Sequence, residues 1–340
     1  MTSAKRYLQS VFALLLAFWT PACVAQSGNF IVAAGYNSPY NVVVAPGQVI
    51  VLLVQGVGAS LTLPVQAETI PLPTTLAGIS VSLHQTTEAP VAVPLLSVSP
   101  RSSTCFGGFN LPGCQVLLAE VTVQIPWELL PHFPRFDQSS GQAVLVVSEN
   151  GVPGSAFELA SVFDRIHIIT NCGYVQPGDM LLPFSNVCGP IVTHGNGGAL
   201  VTPGNPAKAG EVLVMYAFGL GATVPAAKTG EAAPVPPLVV AQTPGSHPLL
   251  IGFDFRKNAA PQRADDPTLD QPSLLFAGLT PGFVGLYQVN FRIPAIPAGL
   301  PPCDIPAGPA SILTVRSNLT VSISGSFSFD GAAICVDPAK

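Results

Sequence analysis

The sequence predicts an all-β fold in which two β-sandwiches follow one another along the chain. Three observations predict it: a strand-and-glycine pattern that occurs twice, runs of alternating apolar and polar residues, and turn-forming residues between these runs. The 36 prolines and 32 glycines of the 340-residue chain lie between short apolar stretches rather than in one tract. Breakers at such short intervals leave room for strands but seldom for helices.

A stretch near the start of the chain recurs about halfway along it. The matching positions are Gly47, Val49, Val51, Gly56 and Gly58 in the first copy and Gly210, Val212, Val214, Gly219 and Gly221 in the second. The segment 121–126 likewise matches 289–294. Because glycine adopts positive φ freely, the pattern predicts a strand that ends in a glycine turn. A duplication of this kind indicates two copies of one β-rich module.

Several runs show the period of a β-strand. In 79–83, 121–125 and 319–323, every second side chain is apolar. Successive side chains of a strand point to opposite faces, so each run is expected to bury one face and expose the other. The runs 49–54 and 143–147 are continuously apolar, which predicts strands that are covered on both faces or lie centrally in a sheet. Such strands, joined by turn-rich links without helical crossovers, favour sandwiches.

The N-terminal residues predict an export signal. Lys5 and Arg6 precede an apolar stretch over 11–19 and the small-residue site at 23–25. These are the three parts of a secretory signal, and the apolar stretch is too short to cross a bilayer. We predict cleavage after Ala25 and a secreted, extracellular protein. A lipoprotein anchor at Cys23 remains an alternative.

The length that remains after cleavage suggests two domains. We expect a signal peptide over 1–25, a first β-sandwich domain over 26–170 and a second over 189–340. Between them, residues 171–188 form a cysteine-bearing linker, placed where Asn-Cys-Gly-Tyr interrupts the strand pattern.

The cleaved chain retains an even set of cysteines, which predicts disulfides in an oxidising compartment. They are Cys105, Cys114, Cys172, Cys188, Cys303 and Cys335. The simplest connectivity pairs each with its neighbour in sequence, although other pairings remain open. A zinc site is not predicted, because neither a C-x-x-C motif nor a Cys–His cluster has ligand spacing. No cofactor is expected either.

Charge is sparse and limits the classes of partner. Only 9% of the residues are charged, 48% are hydrophobic, and the formal net charge is -5. This composition cannot supply a phosphate-binding stripe, so nucleic acid is excluded as an expected partner. Beyond the signal there is no long apolar run, so no membrane span is predicted. The expected partner is a cell-envelope or extracellular protein or a polysaccharide.

No catalytic motif is evident. The chain lacks the G-x-S-x-G and H-E-x-x-H motifs, and its five histidines are scattered. A glycosidase needs two carboxylates across a cleft, and the sequence places no two together. The acids considered are Asp137, Glu149, Asp164 and Asp254. The loop from Asp265 to Asp270 could hold calcium, but a solvated turn is the simpler interpretation.

Two aromatic residues are candidate ligand contacts. Trp127 is the tryptophan that remains after the predicted cleavage. Tyr287 is spaced from Phe283 and Phe291 so that the three would share a strand face. Core packing is the simpler role for them, and stacking against a sugar is the alternative.

Several motifs resemble those of one protein family. They are the segments 70–79, 124–129, 205–207, 216–221 and, longest, 276–290. Together they resemble the Solibacter-type uncharacterised C-terminal domain family of secreted acidobacterial proteins. The resemblance covers residues 32–321 and implies an exported pair of immunoglobulin-like β-sandwiches with no catalytic residues to transfer. The segments 105–114 and 172–188 depart from the family pattern.

These observations predict a secreted, non-catalytic β-sandwich protein that acts as an extracellular scaffold or adhesion module. The alternative is a carbohydrate-binding module of the cell envelope or extracellular matrix.

Overall fold

The computed structural model is all-β, as the sequence predicts. It describes residues 28–35, 42–85, 89–104, 115–131, 142–171, 189–195, 198–242, 249–264, 274–304 and 315–338. These residues form 21 strands and no helix. Within the same ranges there is accordingly no helix that could span a membrane. The predicted signal peptide, Asp137 and the loop from Asp265 to Asp270 lie outside the described residues.

The N-terminal half consists of two sheets that share one buried apolar cluster. Its strands are β1 Phe30–Ala34, β2 Val43–Val44, β3 Val49–Gln55, β4 Val65–Gln66, β5 Thr75–Leu76, β6 Ile79–Gln85, β7 Val91–Val93, β8 Leu95–Thr104, β9 Gln115–Gln124, β10 Gln142–Glu149 and β11 Val152–Ser161. One sheet has the order β1-β3-β9-β8-β4, and the other has the order β2-β11-β10-β6-β5 with β7 beside β6. Ile50, Val121 and Leu145 show that both sheets contribute to the same cluster.

The C-terminal half is also β-sandwich-like, with a cluster of its own. Its strands are β12 His167–Ile168, β13 Val192–His194, β14 Val212–Phe218, β15 Thr223–Val224, β16 Val240–Ala241, β17 Leu250–Asp254, β18 Leu274–Leu279, β19 Tyr287–Arg292, β20 Leu319–Ser324 and β21 Phe329–Ile334. A seven-stranded sheet has the order β12-β14-β19-β18-β16-β15 with β13 beside β14, and a three-stranded sheet has the order β17-β20-β21. Met215, Phe291 and Val321 meet in the buried cluster between them.

The predicted repeat is confirmed at the level of the backbone. Its strands, β3 and β14, are both seven residues long. The flanking glycines all have positive φ, at 72°, 84° and 76° in the first copy and 75°, 76° and 89° in the second. Glycine is therefore required by the same backbone conformation in both copies.

The repeat also keeps its strand register. The β3–β9 pair aligns Val49 with Gln124, and the β14–β19 pair aligns Val212 with Arg292. The neighbouring hydrogen bonds match too: the Gly47 amide donates to the Ile125 carbonyl at 3.0 Å, and the Gly210 amide to the Ile293 carbonyl at 2.9 Å. Around these pairs, β3-β9-β8 and β11-β10-β6 correspond to β14-β19-β18 and β21-β20-β17.

The burial of the strands confirms the predicted alternation of buried and exposed residues in one run and contradicts it in another. Strand β6 alternates as the run 79–83 predicts, whereas all six residues of β20 are buried. The polar face of β20 is covered by the segment 259–264, because Thr320 donates to the Ala259 carbonyl at 2.7 Å and the Ala264 amide donates to Ser324 at 2.7 Å. The expectation of a solvent-exposed face at 319–323 is therefore wrong.

The chain passes between the halves earlier than the sequence-based boundary of 170–189. The Val162 amide donates to the Val44 carbonyl in the N-terminal half, and the Arg165 amide donates to the Gly219 carbonyl in the C-terminal half. Strand β12, expected in the first domain, pairs with β14 in the second sheet pair. The crossover therefore lies at 163–164. Residues 172–188 of the expected linker are outside the described ranges.

A buried carboxylate holds the crossover in place. Asp164 is 1% exposed, and it accepts hydrogen bonds from the backbone amides of Ser326, Phe327 and Ser328 and from the Ser328 hydroxyl. The ring of Phe163 stacks on that of Phe327, with centroids 5.3 Å apart. The turn between β20 and β21 thus encloses the crossover, and the hydrogen bonds offset the cost of burying the charge.

Side-chain hydrogen bonds also hold the segment after the crossover against the segment 328–330, while β12 itself pairs with β14. The Ile166 amide donates to Ser328 Oγ at 2.7 Å, and the Ile168 amide donates to Asp330 Oδ2 at 2.8 Å. Since successive backbone amides in an extended segment point to opposite sides, the amides of Ile166 and Ile168 both face the segment 328–330.

One of the predicted disulfides is present. Cys303 and Cys335 are bonded, with Cα atoms 6.0 Å apart, as pairing in sequence order predicts. The bond joins the segment after β19 to the end of β21. The other candidates, Cys105, Cys114, Cys172 and Cys188, lie outside the described residues.

Asp164→Ala is expected to lower the free energy of unfolding by about 3–5 kcal/mol, because several buried donors lose their acceptor at once. Chemical denaturation monitored by fluorescence would measure the change. The control is Asp254→Ala, which removes the partner of the exposed Arg256 and should change stability little. Equal effects of the two substitutions would contradict the role assigned to Asp164.

Candidate functional site

The two halves are joined by hydrogen bonds at a junction between the end of β9 and the segment 228–230. The Gly230 amide donates to Gln124 Oε1 at 2.7 Å, and the Leu72 amide donates to the Gly230 carbonyl at 2.8 Å. The Trp127 amide donates to Thr229 Oγ1 at 2.8 Å. The Thr229 hydroxyl in turn donates to the carboxylate of Glu128. Both halves thus supply donors and acceptors to one network.

Trp127 is the apolar anchor of this junction. Its half-buried ring packs against the buried cluster of the C-terminal half, although the residue itself follows β9 of the N-terminal half. The ring also occupies the place where Gly47 would carry a β carbon. Gly47 therefore needs to lack a side chain as well as to adopt positive φ. The ring predicted as a candidate ligand contact serves to join the halves.

Tyr287 is a core residue of the C-terminal half. It is 0% exposed, and its hydroxyl donates to the Gly221 carbonyl. Burial raises the pKa of this phenol well above its ordinary value. Phe291 packs in the same cluster, whereas Phe283 lies in the turn before β19 and is exposed. Because no part of its ring reaches the surface, Tyr287 cannot contact a ligand in this structure, and the packing interpretation applies.

A cleft with a volume of about 400 Å³ opens beside the junction. Ile70 and Leu72 form its wall on the N-terminal side, and Phe218 and Phe283 face them from the C-terminal side. Glu68 is the charged residue among the described residues that line it. Concave, mostly apolar surfaces between sheets or domains are common binding sites, so this cleft is a candidate binding site.

The turn that follows β18 closes the junction near this cleft. The Ala233 amide donates to the Phe283 carbonyl at 2.9 Å, and the Gly282 amide donates to the Ala233 carbonyl at 2.8 Å. A β carbon at Gly285 would lie 2.7 Å from the Gly47 carbonyl oxygen of the other half. Glycine at 285 therefore allows the two halves to approach closely.

The acids considered for glycosidase chemistry have separate local roles where they are described. Glu149 accepts a hydrogen bond from the Gly58 amide at 2.8 Å. Asp164 is enclosed at the crossover, and Asp254 pairs with Arg256. Within the described ranges there is also no group of three or more His, Cys, Asp or Glu placed to hold a metal ion.

Three histidines have polar partners. His84 Nε2 lies 2.9 Å from Ser82 Oγ on β6, and His194 Nδ1 lies 2.6 Å from Glu211 Oε1. A serine–histidine contact resembles a nucleophile and its base, but this one lies along a single strand. A hydrolase would also need an oriented acid and an oxyanion site.

The third histidine, His167, lies beside the crossover. Its Nδ1 is 3.6 Å from Asp330 Oδ2. Burial, and then the nearby Arg165, lower the pKa of His167 to about 4. Burial also raises the pKa of Asp330. The imidazole is therefore neutral at pH 7, and the pair at that pH is not an ion pair.

The sequence did not reveal the junction, although it singled out Trp127 for a different role. Trp127 and Thr229 are 102 positions apart, and Gln124 and Gly230 are 106 apart. Contacts at such separations leave no local pattern. The burial of Gln124 is at odds with the exposed polar face predicted for the run 121–125, because the C-terminal half covers that end of β9.

No protein-family profile matches the chain, and no curated protein matches it significantly. The resemblance of 276–290 and the shorter motifs to the Solibacter-type family therefore stays a prediction.

Trp127→Ala is expected to lower the free energy of unfolding by about 2 kcal/mol, since a half-buried ring loses part of the contact of a core tryptophan. It should also separate the unfolding of the two halves, which scanning calorimetry would detect as a second transition. Phe329→Ala, at an exposed aromatic of β21, is the matched control. Identical calorimetric profiles for the two variants would contradict an anchoring role.

Stability should fall as the pH is lowered from 7 to 5. The folded-state pKa of His167, about 4, lies below the ordinary value of 6.5. The unfolded chain therefore binds more protons in this window, and stability is lost as the pH falls. The raised pKa of Asp330 acts in the opposite sense. We expect a net loss of about 1 kcal/mol. Denaturation of His167→Gln should show a smaller slope, and an unchanged slope would contradict the assignment.

Proposed function

We propose that this chain is an exported pair of immunoglobulin-like β-sandwiches that acts as an extracellular scaffold or adhesion module. The strand order carries the proposal. In an immunoglobulin domain one sheet has the order A-B-E-D and the other G-F-C. The N-terminal half has β1-β3-β9-β8 and β11-β10-β6 in the corresponding chain order, and the C-terminal half has β13-β14-β19-β18 and β21-β20-β17.

A further backbone contact supports the duplication. Strand β2 pairs in parallel with β11, and Ala207 forms a parallel bridge to Val336 just beyond β21. In each half the entering segment therefore joins the last strand of the second sheet. Membership of the Solibacter-type family is part of this proposal, and its longest motif, 276–290, corresponds to β18, the junction turn and most of β19.

The junction favours a role in surface contact. Two linked domains usually move relative to one another unless their interface is substantial. Here backbone amides, an anchoring tryptophan and the Asp164 crossover join the halves, so the pair would present its surfaces in one fixed arrangement. The acids Glu149 and Asp164 serve backbone hydrogen bonds, which supports a non-catalytic role. The disulfide between Cys303 and Cys335 is in keeping with export.

The alternative function is a carbohydrate-binding module. It would need a binding surface other than the rings of Trp127 and Tyr287, which the sequence predicted as ligand contacts. Tyr287 is fully buried, and the half-buried ring of Trp127 packs at the junction, so the two do not form an exposed stacking platform.

Export and partner capture would test the proposal. We expect the protein in the extracellular or envelope fraction, with a mature N-terminus at Gln26 after cleavage following Ala25. Cross-linking in intact cells should capture an envelope or extracellular partner that an unrelated exported β-sandwich does not capture. Retention in the cytoplasm with the N-terminus intact would contradict export. Turnover of a substrate by the purified chain would contradict a non-catalytic role.

A further inference from the structure

The outer face of the seven-stranded sheet carries aromatic and amide side chains on adjacent strands. The register of β14, β19 and β18 forms two rows, which are Tyr216, Gln288 and Gly278, and Val214, Asn290 and Phe276. Their sequence neighbours Met215, Val289 and Leu279 belong to the buried cluster. Because side chains alternate along a strand, the two rows face away from that cluster. Val214 is only 1% exposed and Gly278 is buried, so the accessible part of this side is formed by the half-buried Tyr216, Gln288, Asn290 and Phe276. We call this side of the two rows the outer face.

Phe276 lies along the outer face rather than standing away from it. A β carbon at Gly278 would come within 2.6 Å of the Phe276 Cζ atom, so the ring occupies the space that a side chain at 278 would fill. Phe276 is half-buried, as is Tyr216. The Phe276 ring therefore lies flat against the sheet. A protein interface is usually centred on an aromatic side chain that inserts into a pocket of its partner, and the Phe276 ring is not placed to do so.

The amides next to the rings retain hydrogen-bonding capacity. Gln288 Nε2 donates to Asn290 Oδ1 at 3.3 Å. Within the described part of the chain, no hydrogen bond engages the Gln288 oxygen, the Asn290 amino group or the Tyr216 hydroxyl. These groups comprise an acceptor, a donor and a hydroxyl that does both. They can therefore bind hydroxyl groups of a ligand that lies on the rings.

The outer face is uncharged. Neither row contains an ionisable group apart from the tyrosine phenol, and Arg292, beyond the end of the Asn290 row, donates to the Gly210 carbonyl at 2.7 Å. The Tyr216 row continues through two exposed valines, since Gly278 aligns with Val240 and Val240 with Val224. Five adjacent strands span about 19 Å at the usual strand spacing, a length that holds several sugar rings.

We propose that the outer face binds an uncharged polysaccharide laid across the strands. The apolar faces of the sugar rings stack on Phe276 and Tyr216, and their hydroxyl groups bind Gln288 and Asn290. The lack of charge matches a neutral polymer and gives no complement to a polyuronate. The inference rests on the proposed function, since it names a partner for a surface-contact protein.

Affinity electrophoresis of the full mature chain tests the proposal. The gels contain a soluble galactomannan, a xyloglucan or a mixed-linkage β-glucan as neutral probes, and alginate as the charged comparator. We expect at least one neutral polymer to retard the protein and alginate not to do so. Phe276→Ala and Gln288→Ala should each weaken the interaction about tenfold, the usual scale for a central contact. Phe329→Ala, which removes an exposed ring from the other sheet, should bind as the parent protein does.

The contrary outcomes are distinct. If none of the neutral polymers retards the protein, if only alginate does, or if a folded Phe276→Ala variant binds like the parent, the proposal is wrong. If Phe276→Ala does not fold, as judged by its thermal transition, Gln288→Ala decides in the same way. If the variants instead lose capture of an envelope protein, the outer face is a protein interface. That result overturns the polysaccharide but leaves the proposed function standing.

Discussion

The buried carboxylate of Asp164 is the constraint on which the arrangement of the two halves depends. A charge removed from water without a counter-ion is costly. Asp164 offsets this cost with the amides of 326–328 and the Ser328 hydroxyl, all from the far end of the chain. In this position the crossover satisfies both the carboxylate and these donors. The crossover is therefore held against the turn between β20 and β21, and β12 follows from that point into the second sheet.

The duplicated strand-and-glycine unit is used differently in the two halves. In the first half, a β carbon at Gly56 would come within 2.8 Å of the Gly28 carbonyl at the start of β1. In the second, the equivalent Gly219 lies against the Arg165 carbonyl of the crossover. The same backbone conformation thus allows close approach of an edge strand in the first copy. In the second copy it allows close approach of the segment that links the halves. Gln48 reinforces the link, because its side-chain amide donates to the Arg165 carbonyl at 3.3 Å.

Several polar side chains of this protein are buried and form hydrogen bonds in the interior. Gln124, Thr320 and Asp164 are buried, and each binds backbone groups of a segment distant in sequence. Since charged residues make up only 9% of the chain, this use leaves surfaces with little charge. A surface of rings and amides, as on the outer face, suits neutral ligands, which connects the composition of the chain to the partner proposed for it.

The sequence by itself determined the all-β class, the duplicated unit with its glycine turns and the alternation in β6, because each depends on neighbours in the chain or on local spacing. It gave the pairing of Cys303 with Cys335 only as the simplest of several connectivities. The alternation of polar and apolar residues in β19 also marks an outward face from sequence alone. The polar positions are Gln288 and Asn290. Nothing local shows which strands lie next to β19. Only the tertiary structure decided where the crossover lies, that 259–264 covers β20, and that Trp127 and Tyr287 are used for packing. These outcomes rest on contacts such as that between Asp164 and Ser328, 164 positions apart, and a local pattern cannot encode which distant segment will supply a missing partner.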